Sequence, residues 1–343
     1  MRLRHEPLDL TTTFEFRIAV GASQGHGNTL VRLEHDGIEG LGEAAPSHYY
    51  GEDRLSITAA IAAWTPCLGD DPLALDAIEQ RMHDTLRGNG AAHAAIDMAL
   101  HDWIGKQLGQ PVWRLFGLDP ARTPISCVTL GMAEPEEMER KLETVKAFPR
   151  IKVKLGGPGD IESLRRVRAG YGGALQADAN AAWSAAEAVR ALRAIEPLGI
   201  ELVEQPVARG DLDGLKWVRD RVGIPVYADE SCHHLADIGV LAGRVDGVNL
   251  KLMKCGGITE MRRMIHAARA CGLRVLLGSM VETSLALSAA AQLAPLADEL
   301  DLDGRWLIAF DPFDGAPRER GVIAPNQRPG LGVVPAKPAG SAR

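Results

Sequence analysis

Residues 151–206, IKVKLGGPGDIESLRRVRAGYGGALQADANAAWSAAEAVRALRAIEPLGIELVEQP, decide the fold. A short apolar run (Ile151 to Leu155) passes through a polar turn into an amphipathic helix, and the pattern restarts at Ala174 to Ala177 and at Ile200 to Val203. Working outward, the same unit begins at Ile125 to Leu130, Pro225 to Ala228, Gly247 to Leu250 and Arg274 to Leu277. Starts fall about 22 to 27 residues apart, the length of a strand, a loop and a short crossover helix. This is a βα repeat with seven visible strands. An eighth is expected near Ala297 to Asp301, where a loop is the other reading; it would close a TIM-like (β/α)7β barrel.

Upstream the period changes. Phe14, Phe16 and Ile18, then Leu30, Val31 and Leu33, alternate as strands do, with Gly-rich turns expected at Gly21 to Gly27 and at Asp36-Gly37. From Leu55 to about Lys106 the period is helical. Strands followed by helices predict an N-terminal α+β capping domain over residues 1–122, with the barrel at 123–315. Residues 316–343 then form a C-terminal segment returning toward the cap, loose from Pro335 onward.

Composition narrows the class. The chain has 343 residues with 46% hydrophobic and 24% charged content, which excludes disorder and allows a large core. Its five scattered cysteines form no CxxC pair, which excludes a disulfide scaffold and suits a reducing, cytoplasmic setting. A net charge of −7 argues against a nucleic-acid partner. The first residues lack a signal peptide's apolar stretch, and no apolar run is long enough to span a membrane.

The residues that end the runs carry the chemistry. They are Lys152 and Lys154, Asp178-Ala-Asn180, Glu204-Gln-Pro206, Asp229-Glu230-Ser231 and Lys251, one βα unit apart. In a parallel barrel they share the C-terminal rim. A lone Asp at a strand end is more often a helix cap. Asp178, Glu204 and Asp229 together, without His or Cys, are hard oxygen ligands that suit one Mg²⁺ and disfavour zinc. Lys152 and Lys154, two apart on a strand, point to one side, where each should lower the other's pKa and free one as a base. Lys251, one strand past Asp229, comes from the opposite side of the metal. Its rival Lys254 has the other side-chain parity and reads as a loop or shielding residue. A Schiff-base lysine is the competing chemistry, but it needs no divalent metal.

These residues resemble the enolase superfamily, and within it the muconate lactonizing enzyme subgroup. Residues Ala92 to Lys106 with Gly109-Gln-Pro111 look like that subgroup's domain-joining helix. A narrower resemblance is to dipeptide epimerases, through Asn249 to Gly257, Asp301-Leu-Asp303-Gly304 and Phe310 to Gly315. It implies Mg²⁺-dependent isomerisation by 1,1-proton transfer through an enediolate, with Lys154 and Lys251 as opposed bases and Lys152 beside the metal. It further implies that Asp301 and Asp303 hold the dipeptide's ammonium group; an exposed acidic loop is the plainer alternative. Epimerases for Ala-Glu dipeptides carry an arginine in the loop after the first strand, where this chain has Gly21, so another dipeptide is expected. A muconate-type cycloisomerase, an o-succinylbenzoate synthase and an N-acylamino acid racemase are the alternatives within the fold. Glu282, Asn180 and Tyr50 are further substrate-binding candidates, Glu282 reading equally as a helix N-terminal carboxylate. The loops Val20 to Asn28 and Ser47 to Asp53 are expected to form the lid, while His26, His48, His233 and His234 read as loop histidines. A homo-oligomer is the family-level expectation.

Overall fold

A computed structural model describes residues 1–18, 21–316 and 319–337. The alternating N-terminal residues form a three-stranded antiparallel sheet: β1 (Arg2–Ile18), β2 (Gly21–His35) and β3 (Ile38–Ala44). The expected turn at Gly21 to Gly27 is instead part of β2. Gly25 faces Thr11 and Gly27 faces Asp9 in register, and the pairing runs as far as Ile18 with Gly21. A long partner strand supplies the hydrogen bonds that override glycine's weak strand preference. Gly27 also leaves room for the Arg54 guanidinium, which binds Asp9 and donates to the Asn28 carbonyl at 3.1 Å.

The helical stretch breaks into α1 (Arg54–Trp64), α2 (Leu75–Thr85) and α3 (Gly90–Gln107). Asp53 starts α1 with a capping box to Ser56. Every residue from Ala91 to Gly105 is buried. Small side chains are required there because α3 is packed on two sides. A Cβ at Gly42 of β3 would stand 1.9 Å from the Ala95 carbonyl oxygen, and one at Gly90 would stand 2.5 Å from that of Met253. Helix, sheet and barrel thus touch backbone to backbone.

The repeat forms an eight-stranded parallel sheet in sequence order: β4 (Val128–Leu130), β5 (Arg150–Lys154), β6 (Ala174–Asp178), β7 (Ile200–Glu204), β8 (Val226–Ala228), β9 (Gly247–Lys251), β10 (Arg274–Gly278) and β11 (Glu299–Asp301). The eighth strand lies where it was expected. Ser126 bridges Leu300 in parallel, and Cys127 N donates to Leu300 O at 3.0 Å, so the ring is drawn closed. The fold is a mixed α/β barrel with an antiparallel capping sheet.

The chain then returns to the cap. Asp102 on α3 accepts from Leu331 N and from Leu41 N, both at 2.9 Å, tying the C-terminal segment to β3. Pro335, expected to be loose, pairs with Phe313 as a short strand, and Ala336 N donates to Pro312 O at 2.8 Å. Ladder partners override the Pro-rich composition at that point.

Candidate active site

Parallel register brings the strand ends to one rim. Lys154 pairs with Asp178, and Asp178 with Glu204, as direct Cα partners across β5, β6 and β7. Asp229 follows the last residue of β8, and Lys251 ends β9. Between Lys152 and Lys154, Val153 turns outward into the apolar packing, so the two lysines share the inner face.

The ammonium groups and carboxylates interlock. Lys152 Nζ lies 3.4 Å from Glu204, 3.6 Å from Asp178 and in short contact with Asp301. Lys154 Nζ donates to Asp178 Oδ2 at 2.5 Å, and Lys251 Nζ to Asp229 Oδ2 at 2.7 Å. Burial disfavours charge on Lys152, yet Asp301, Glu204 and Asp178 outweigh it and raise its pKa well above the usual lysine value. The expected mutual lowering by paired lysines is therefore overruled at Lys152, because three carboxylates stand closer to it than a like charge can offset. Burial would lift Asp229 as well, but Lys251 and Lys254 hold it well below its ordinary value. Glu204 has no such excess of cations, and burial with Asp178 pushes it up to about 8. A buried, all-oxygen set on adjacent strand ends, carrying more negative charge than it can keep ionised, fits a hard divalent cation.

Lys254 does not lie in a loop. The chain turns helical immediately after Lys251 (Leu252–Cys255), so strand parity does not extend to it. Its buried ammonium donates to Asp229 Oδ1 at 2.5 Å, to Asp229 O at 2.7 Å and to Asn249 O at 2.8 Å. Gln205 braces the same corner. With a left-handed φ of 35°, it accepts from Asp229 N and Ser231 N, both at 3.0 Å.

A cavity of about 220 Å³ opens above this floor. Lys152, Lys154, Asn180, Asp229, Lys251, Asp301, Asp303 and Tyr50 all line it. Asp178 and Glu204 lie beneath, fully buried. Asp301 Oδ1 accepts from the Cys127 thiol at 3.0 Å, and Asp303 Oδ2 accepts from Thr129 N at 2.7 Å. Burial and Asp301 together push Asp303 up to about 6. The exposed acidic loop is thereby set aside, since both side chains are buried. Glu282 stands outside the wall, where its carboxylate accepts from Met280 N at 2.8 Å; its neighbours Ser279, Met280 and Val281 do line the cavity.

The cap supplies the roof. Ser47, Tyr49 and Tyr50 come from the expected second lid loop, which carries a 3-10 turn at His48–Tyr50. Tyr50 packs edge-on against His233 at 4.5 Å, so that histidine supports the roof. His26 and Asn28 also line the cavity, from β2 and not from a loop; Val20, at the start of the expected first lid loop, lies outside the described residues. Burial lowers the pKa of His26. Glu230, for which the sequence suggested no role, lines the wall beside Asn180 and is pushed up to about 7 by burial and by Asp229. Its position next to a strand-end carboxylate was the available signal.

Residues 136–339 match the family described as enolase C-terminal domain-like, and residues 7–117 match the mandelate racemase / muconate lactonizing enzyme N-terminal domain. The chain belongs to this family of the enolase superfamily. It is 35% identical to the L-Ala-D/L-Glu epimerase of Bacteroides thetaiotaomicron, over 97% of this chain and 88% of that one. Its fold matches the dipeptide epimerase of Enterococcus faecalis complexed with Mg and L-Leu-L-Tyr, with a TM-score of 0.92 at 32% identity over 97% of this chain and 98% of that one. It also matches the N-succinyl Arg/Lys racemase of Bacillus cereus, with a TM-score of 0.92 at 30% identity over 97% and 95%. Equal scores for relatives with different substrates mean that the fold alone does not choose a substrate.

Proposed function

We propose that this chain is a Mg²⁺-dependent isomerase that epimerises a dipeptide at the α-carbon of its C-terminal residue. The observation that carries the reading is the placement of Lys154 and Lys251. They end strands four apart in a ring of eight, and so face one another across one cavity. Inversion needs that arrangement: one lysine removes the α-proton from one face of the planar enediolate, and the other returns a proton to the opposite face. Asp178, Glu204 and Asp229 would hold Mg²⁺, which when bound stabilises the second negative charge that deprotonation creates. Lys152 adds a fixed positive charge at the same end. Carboxylates already orient each ammonium, Asp178 that of Lys154 and Asp229 that of Lys251, so little reorganisation is left for the reaction.

Asp301 and Asp303 favour a dipeptide over an N-acylamino acid. Burying two neighbouring carboxylates, of which Asp301 alone is paired with Lys152, is costly unless the substrate brings a positive charge. A cycloisomerase, an o-succinylbenzoate synthase or an N-acylamino acid racemase would bring none. Among the described residues the cavity wall contains no arginine, and Gly21 stands where Ala-Glu specialists carry theirs, which supports a substrate other than Ala-Glu. Tyr50 and Asn180, which line the cavity, would touch the substrate, whereas Glu282 would act through the loop it holds.

The domain division at 122 and 315, a homo-oligomeric state and a cytoplasmic site of action belong to the same reading. Five cysteines without disulfides support the last. No described helix is long and apolar enough to cross a membrane.

The test is α-deuterium incorporation from D₂O into a dipeptide library with Mg²⁺. Lys154→Ala and Lys251→Ala should each lose exchange from one stereoisomer only. Loss from the same isomer in both variants, or turnover of N-succinylamino acids alone, overturns the proposal.

A further inference from the structure

A second group of ligand atoms lies away from the barrel mouth, where α2 meets α3. Glu79 and His93 are buried, 3% and 5% exposed, while the His83 side chain, one turn after Glu79, is 55% exposed. Glu79 Oε2 lies 3.5 Å from His93 Nε2 and 3.9 Å from His83 Nε2, and the three ligand atoms fall within 4.8 Å of one another. Neither oxygen of Glu79, nor Nε2 of His93, has a hydrogen-bond partner. Buried polar atoms are normally paired, so three orphans converging on one point ask for an occupant.

The tautomer of His93 sharpens this. Its Nδ1 lies 2.7 Å from the Gly256 carbonyl oxygen, which can only accept. Nδ1 therefore carries the proton, and Nε2 turns a lone pair toward the Glu79 carboxylate. His83 stacks on His93 at 5.2 Å, which parks a third ligand at the solvent edge. In a tetrahedral zinc site, ligand atoms about 2.0 to 2.1 Å from the ion stand roughly 3.3 Å apart. The buried Glu79–His93 pair, at 3.5 Å, is already near that spacing, and the remaining closure falls to the exposed His83 side chain, 3.9 Å from Glu79.

We propose that Glu79, His83 and His93 form a Zn²⁺ site in the cap, with water in the fourth position on the His83 side. Two imidazoles and one carboxylate suit zinc, just as the all-oxygen set at the barrel mouth suits Mg²⁺. The ion would join α2 to α3. Through His93 and Gly256 it would also brace the segment that carries Lys251 and Lys254. The competing occupant is a proton shared by Glu79 and His93, which burial favours by pushing Glu79 up to about 9.

The test titrates Zn²⁺ into chelator-stripped protein in excess Mg²⁺, with bound zinc counted by mass spectrometry and the ligand field read from a Co²⁺ spectrum. The wild-type chain should bind one zinc with a tetrahedral nitrogen and oxygen signature, and should melt at a higher temperature with it. His83→Ala alters an exposed side chain and so should still fold. It and Glu79→Gln should each weaken binding roughly 100-fold, since even outer-shell losses cost tenfold or more. Asp178→Asn should keep the zinc. No zinc on the wild-type chain, unchanged affinity in both cap variants, or loss in Asp178→Asn instead overturns the proposal, the first of these pointing to the shared proton.

Discussion

Replacing Lys254 with methionine should reveal how much of the site depends on a group that touches no substrate. The side chain is 1% exposed, and its ammonium serves three buried acceptors: Asp229 Oδ1, Asp229 O and Asn249 O. Methionine fills similar space but donates nothing. Removing one partner of a buried ion pair costs about 3 to 5 kcal/mol, and the orphaned carbonyls keep the loss at the upper end of that range. At roughly 2 °C per kcal/mol for a chain of this size, the melting temperature should fall by roughly 8 to 10 °C. Asp229 retains Lys251 alone, so its charge is less balanced. Mg²⁺ should therefore restore more of the melting temperature in the variant than in the wild type, which loss of packing alone would not produce. Calorimetry with and without Mg²⁺ measures both quantities, and deuterium exchange should show kcat reduced for both stereoisomers alike. A variant that melts within about 1 °C of wild type, or one whose loss is indifferent to Mg²⁺, refutes the positioning role.

Gly42→Ala should cost on the order of 3 kcal/mol in denaturant unfolding, because the new Cβ would meet the backbone oxygen of Ala95 at 1.9 Å and a helix backbone cannot yield as a side chain can. Asp303→Asn keeps the acceptor for Thr129 N but halves the buried carboxylate pair, so KM for dipeptides should rise roughly 10- to 100-fold with a smaller change in kcat; an unchanged KM contradicts the ammonium-binding role. Glu52, just before α1, accepts from Ala91 N in the first turn of α3 and is pushed up to about 7 by burial, so the folded chain binds its proton more tightly than the unfolded chain and stability falls as pH rises from about 4.5 to 7. Glu52→Gln should remove that part of the slope and be more stable than wild type at pH 8 by on the order of 2 kcal/mol, read from urea unfolding across pH.

What could be read in advance follows the range of the physics involved. The barrel was readable because each βα unit repeats one local pattern, and parallel register then places Lys154, Asp178 and Glu204 side by side without further information. The β1–β2 hairpin departs from the local signal at Gly21 to Gly27: glycine there signals a turn, whereas a long ladder with β1, bulged between Thr11 and Phe16, decides the outcome. His26 and Asn28 belong to the segment expected to cover the barrel mouth, but they do so from a strand and not from a loop. They reach the cavity only because the cap docks on the barrel, where Asn28 donates to the Val281 carbonyl at 3.0 Å, a contact between residues 253 positions apart.

Lys254 reads as a loop residue only when strand parity is carried three residues past the end of β9. Strand periodicity ends at Lys251, and a helical turn from Leu252 folds Lys254 back beneath Asp229. The same turn explains why this stretch holds two lysines with different work. One stays on the strand face and enters the cavity; the other is buried and fixes the carboxylate that orients the first. A single carboxylate, Asp229, thus accepts from both lysines, the one proposed as a base and the one that positions it. That division requires the chain to change from strand to helix between residues 251 and 252, which makes the backbone at that point as much a part of the site as the side chains it carries.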